Sequence, residues 1–160
     1  MTRHDELDVL IPVWATRLHV PPGIDPVRLL KAIAMRESRY GVLTTPRREP
    51  AYCPKGRYFD AAQARRYQRY GSAAACSYSS FQVMFPVACE LGYAGTPEQL
   101  GGDAEGIQWA VELLNTRIFG RDQARTIEEI GDAYNSGSCK DRFKPIAYMQ
   151  AVKGFYDRSA

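Results

Sequence analysis

The stretch that decides the fold runs from Asp25 to Gly41, DPVRLLKAIAMRESRYG. Asp25 is a good N-cap and Pro26 takes the favoured first helical position. Val27, Leu30, Ile33 and Ala34 recur at helical spacing, and Gly41 is placed to end the helix near Tyr40. Glu37 lies four residues after Ile33 and seven after Leu30, so it continues the apolar stripe. A carboxylate on an apolar face must be paired, hydrogen-bonded or protonated. Burial disfavours the anion, and an acid that keeps its proton near neutral pH suits protonation of a breaking glycosidic bond. The competing reading is a stripe edge, with Glu37 paired to Arg36 or Arg39 and taking no part in chemistry.

The same helical grammar extends outward in both directions. Leu7, Leu10, Ile11, Trp14 and Leu18 suggest a first helix to about His19, with Pro12 as a kink or late start. Pro21-Pro22-Gly23 then breaks the chain. Downstream, Pro86 to Leu91 reads as a short helix ended by Gly92. Thr96 and Gln99 form a capping box opening one turn. Asp103 can cap a helix whose stripe is Ile107, Val111, Leu114 and Ile118, ending at Gly120. Thr126 and Glu129 form another capping box, leading into Ile127, Ile130 and Ala133. Pro145 opens a last helix with the stripe Ile146, Met149, Val152 and Phe155. Strand-like alternation is scarce. The expected architecture is all-α, a single domain over residues 1–160 with six to eight helices.

Composition bounds the function classes. A chain of 160 residues buries a core without staples, and 45% hydrophobic with 24% charged residues excludes disorder. No run approaches the roughly 20 uncharged residues of a membrane span. The charged opening, Met1 to Glu6, does not resemble a signal peptide, so the route by which the chain reaches a target stays open. Four cysteines (53, 76, 89 and 139) without Cys-x-x-Cys spacing, beside only two histidines, argue against a zinc site. They are either four free thiols or include a Cys53–Cys76 bridge. The net charge of +3 is uneven, because residues 47–70 alone carry +5. Tyr52, Tyr58, Phe59, Tyr67 and Tyr70 are interleaved with that charge. Such a segment can hold an anionic polymer or a sugar face, or it can be a solvated helix face over aromatic packing. No nucleic-acid motif accompanies it, so nucleic acid is not an expected partner.

Three blocks carry a family resemblance. Ile33-Ala34-Met35-Arg36-Glu37-Ser38 resembles the Glu-Ser motif of the soluble lytic transglycosylases, lysozyme-like enzymes that cleave peptidoglycan. Ser79-Ser80-Phe81-Gln82-Val83-Met84 resembles their Gly-Leu-Met-Gln-x-Met segment, and Ala133-Tyr134-Asn135-Ser136-Gly137 their Ala-Tyr-Asn-Ala-Gly. The blocks occur in the family's order over roughly residues 24 to 155. Arg47-Arg48-Glu49-Pro50-Ala51-Tyr52 is similar to a stretch found in phage-associated and secreted members with a long insertion, here about 44–75.

The resemblance implies a lysozyme-like helical fold, peptidoglycan strands as partner, no cofactor or metal, and action on the cell wall as a monomer. It makes Glu37 the single catalytic acid, acting afterwards as base. Gln82, Met84, Tyr134 and Asn135 match cleft positions, and Ser80 and Glu49 are expected beside the sugar. Goose-type lysozymes, related in fold, place an aspartate two residues after the motif glutamine, where this chain has Met84. One carboxylate suits the lyase route, which closes a 1,6-anhydro ring on the muramic sugar without water. Glu49 or Asp132 as a second carboxylate would restore hydrolysis. A third possibility is an inactive glycan-binding or virion module. The insertion is expected to wall the cleft, with Arg65 and Arg66 among its contacts, or else to pack as a lid for stability.

Overall fold

The computed structural model describes residues 1–136 and 146–159, with the side chain of Ile146 also left out. Among these residues the chain is mostly helical, with eight α-helices and one small three-stranded sheet. The helical expectation holds; the sheet was not foreseen.

Helix α1 spans Arg3–Ala15. It opens on a capping box between Thr2 and Asp5 and carries Pro12 inside. It stops four residues short of His19, because Asn115 claims the backbone beyond it. Its side chain accepts from the His19 N–H at 2.8 Å and donates to the Arg17 carbonyl at 2.8 Å. Helix α2, Pro26–Ser38, is capped by Asp25 as expected, but Arg39 and Tyr40 are already left-handed at φ 51° and 56°. The helix therefore ends two residues before the expected Tyr40.

The insertion folds as strand β1 (Arg47–Arg48), a 3₁₀ turn (Pro50–Tyr52), helix α3 (Ala61–Tyr70) and a second 3₁₀ turn (Gly71–Ala75). Strands β2 (Cys76–Tyr78) and β3 (Val83–Met84) follow. The sheet order is β1-β2-β3, antiparallel throughout. Arg47 pairs with Ser77 and Ser77 with Met84, so these three residues form one row across the sheet.

Helices α4 (Phe85–Glu90), α5 (Pro97–Leu100) and α6 (Asp103–Leu113) come next. The Thr96–Gln99 capping box forms in full. The cap expected at Asp103 does not: Gly102 is the N-cap, and the buried Asp103 carboxylate turns inward instead. It accepts from the Ser80 N–H and hydroxyl, both at 2.9 Å, and from Arg3 at 3.0 Å. The α-helix expected up to Gly120 widens at Leu114 into a π-helix through Arg121. Gly106 lets α6 approach the β2–β3 turn, since a Cβ there would lie 2.1 Å from the Ser79 hydroxyl.

Helices α7 (Ile127–Ser136) and α8 (Ile146–Arg158) complete the chain. Thr126 accepts from the Glu129 N–H at 3.1 Å, the backbone half of the expected capping box. Pro145 lies outside the described residues. The buried face of α8 is Tyr148, Val152 and Tyr156 rather than the expected stripe, with Met149 and Phe155 only partly covered.

Helix α8 packs antiparallel on α2 and beside α7. At one end the Arg28 guanidinium donates to the Tyr156 carbonyl at 2.8 and 3.1 Å and stacks over the Tyr156 ring. At the other end Tyr148 meets Glu37. Leu29, Leu30, Ile33, Phe81, Ile107 and Leu114 form the fully buried centre. No helix among the described residues is long and apolar enough to cross a membrane. Cys53, Cys76 and Cys89 are free thiols, and Cys139 lies outside the described residues.

Candidate functional site

Helix α2 carries its apolar stripe into the core and delivers Glu37, one turn later, to the floor of a cleft of about 900 Å³. The Glu37 side chain is only 8% exposed. Neither Arg36 nor Arg39 is its partner. Its Oε2 accepts from Arg47 of β1, and its Oε1 accepts from the Tyr148 hydroxyl of α8. Arg36 lies instead over the Tyr148 ring, 4.6 Å from the centroid. Burial first, then the Glu37 charge, pushes the Tyr148 hydroxyl well above its usual range, so it stays a donor.

Tyr134, from α7, also lines the cleft. Its hydroxyl donates to the Phe81 carbonyl at 2.7 Å. Burial, followed by the Glu37 charge, raises this hydroxyl as well. Asn135 lines the cleft from the exposed end of α7.

Gln82 occupies the left-handed region at φ 47°, in the turn joining β2 and β3. Its Oε1 accepts from Arg47 Nε at 2.8 Å and from the Ser77 hydroxyl at 2.7 Å. Its Nε2 donates to the Ser79 carbonyl at 2.9 Å. The amide therefore fixes Arg47, and through it Glu37, as well as lining the cleft. Met84 lines the cleft from β3, in the same row as Ser77 and Arg47.

Ser80 is not brought to the cleft. It is fully buried behind the turn, bonded to Asp103, and is absent from the cleft wall. Its place among the expected sugar contacts is therefore corrected: the Ser80 side chain points into the scaffold, toward Asp103. Glu49 does line the cleft, where it also caps the 3₁₀ turn by accepting from the Ala51 N–H at 3.2 Å. Asp132 is buried on α7, away from the lining.

The insertion supplies a whole wall, though not through Arg65 and Arg66, which lie outside the lining. Arg47, Arg48, Tyr52, Arg57 and Tyr58 do this instead. The Tyr52 and Tyr58 rings sit 5.1 Å apart, and Arg57 lies 4.8 Å over Tyr58. Burial pushes the Tyr52 hydroxyl up to about 12, with Glu90 adding to the effect. Glu90 belongs to α4 on the facing wall and pairs with Arg117 of the π-helix at 2.7 Å. The cleft is thus charged and aromatic, a surface suited to polar rings bearing anionic groups. Among the described residues no cluster of three or more His, Cys, Asp or Glu side chains could hold a metal ion.

Two residues central to this geometry escaped sequence reading. Tyr148 lies off the expected stripe of α8, yet Tyr148, Val152 and Tyr156 recur every four residues. Arg47 opens both the basic segment and the Arg47–Tyr52 stretch, and neither signal assigns it Glu37 as a partner. No protein-family model matches the chain, and neither a curated protein nor a solved structure matches it.

Proposed function

We propose that the chain is a peptidoglycan lytic transglycosylase that cleaves the MurNAc-β-1,4-GlcNAc bond. The observation that carries this is the placement of Glu37, 8% exposed on a cleft floor that also gathers Gln82, Met84, Tyr134 and Asn135. Support from the fold is coarser: a mostly helical domain with a small sheet facing the end of a buried helix suits a lysozyme-like architecture.

In this reading the protonated Glu37 gives its proton to the glycosidic oxygen as the C1–O bond breaks. The N-acetyl carbonyl oxygen of the muramic sugar bonds to C1 and holds the positive charge. The Glu37 carboxylate then takes the proton from the C6 hydroxyl, whose oxygen displaces the acetamido oxygen at C1. The product is a 1,6-anhydro ring, with no water consumed. Tyr148 orients the carboxyl throughout.

A second reading has one specific observation in its favour. Glu49 reaches the cleft wall, and a second carboxylate across the bond could activate water for inverting hydrolysis, giving a muramidase. Purified sacculi digested by the protein, with products identified by mass, decide between them. Anhydromuropeptides that vanish with Glu37→Gln support the lyase, and reducing ends support the hydrolase. No soluble product at all would leave only a glycan-binding or virion structural module.

A further inference from the structure

Arg47 stands where an acid catalyst has least use for it. Both Glu37 oxygens are acceptors as the protein is folded, one from a guanidinium and one from a phenol. Tyr148 is buried in the helix interface and remains a donor, so it is the fixed partner. Arg47 is the movable one, with a side chain 55% exposed on a strand of two residues.

We propose that Arg47 is an exchangeable counter-ion that reads substrate charge. It leaves Glu37 for a carboxylate on the incoming peptide-bearing strand, and its departure frees the Glu37 oxygen that faces the cleft. This rests on the reading of Glu37 as the cleaving acid. Of the five guanidinium donors, those used are Nε to Gln82 at 2.8 Å and one on Nη2 to Glu37, which leaves three for an incoming anion. The Gln82 amide, itself bonded to Ser77 and Ser79, keeps the guanidinium beside the cleft during the exchange. One carboxylate replaces another, so the arginine is never stranded unpaired. Arg48 and Arg57 on the same wall accommodate the additional negative charge. A neutral strand offers Arg47 no carboxylate and leaves it on Glu37.

The test measures binding, so it does not depend on cleavage. The full chain is titrated by NMR with GlcNAc–MurNAc–peptide, which bears free carboxylates and lacks the scissile linkage, and with neutral chitobiose. The intact protein should prefer the acidic ligand. Arg47→Ala should lose that preference by about tenfold, through weaker binding of the acidic ligand, with Arg47→Lys falling between. Thermal melts establish that each variant is folded. The proposal is overturned if the intact protein shows no preference, if Arg47→Ala keeps it, or if that variant loses both ligands equally. Failure of the enzymatic reading would appear separately, as uncut sacculi with the binding preference intact.

Discussion

Asp103→Ala should be among the most damaging single changes to this protein, although the residue never touches the cleft. The carboxylate is 1% exposed and receives two bonds of 2.9 Å from Ser80 and one of 3.0 Å from Arg3. Hydrogen bonds to a buried charge contribute roughly 1.5–3 kcal/mol each, and the substitution takes away the acceptor of the buried Ser80 N–H. The Arg3 bridge adds little, because its arginine is 39% exposed and screened by water. The expected loss is about 4 kcal/mol, a large share of the roughly 5–15 kcal/mol that holds a typical domain together. With a urea dependence of about 2 kcal/mol per molar, the unfolding midpoint should fall by about 2 M. Arg3→Ala serves as the companion variant and should move it by less than about 0.5 M. A shift for Asp103→Ala as small as that of Arg3→Ala would show that the Ser79–Gln82 turn holds itself, and that its anchoring from α6 is incidental.

Two further outcomes concern the cleft. Tyr148→Phe keeps the ring under Arg36 but deletes the donor to Glu37, so under the proposed function cleavage of sacculi should slow at least tenfold in kcat with the melting temperature little changed. An unaltered kcat would reduce Tyr148 to packing. Arg57→Ala with Tyr58→Ala should weaken retention on sacculi severalfold, whereas Arg65→Ala with Arg66→Ala should leave it within twofold, since only the first pair lines the cleft. The reverse ranking in a pull-down assay would move the glycan path onto α3.

Helices were legible because their signals are local. The Asp25 cap, the Thr96 capping box and the 3.6-residue recurrence of Leu30 and Ile33 need no knowledge of the rest of the chain. Glu37 could be singled out on the same terms, as a polar residue on an apolar stripe. The sheet could not, because strands of two or three residues are too short for alternation to register. Their pairing is fixed by the β2–β3 turn and by the insertion doubling back. Asp103 misled for a related reason. At a helix start an aspartate is usually a cap, and only the distant Ser80 and Arg3 explain why this one points inward. The widening into a π-helix at Leu114 likewise has no counterpart in the composition of residues 114–121.

These long-range residues also account for how a nearly buried carboxylate can sit at the edge of a domain without collapsing into it. Glu37 is positioned from two independent directions. Tyr148 reaches it from α8, whose opposite end is fastened to the start of α2 by Arg28. Arg47 reaches it from the insertion, and its own position is set by Gln82, whose amide is satisfied by Ser77 and Ser79. Ser79 and Ser80 belong to the turn that Asp103 pins and that Gly106 allows to lie against α6. The first support is a helix pair packed together and bonded at both ends, while the second ends in an exposed side chain on a short strand. Rigidity on one oxygen and freedom on the other holds the carboxyl in place while leaving one of its partners exchangeable. A site braced equally on both sides would fix Glu37 as an ion pair, and a site braced on neither would let it turn to water.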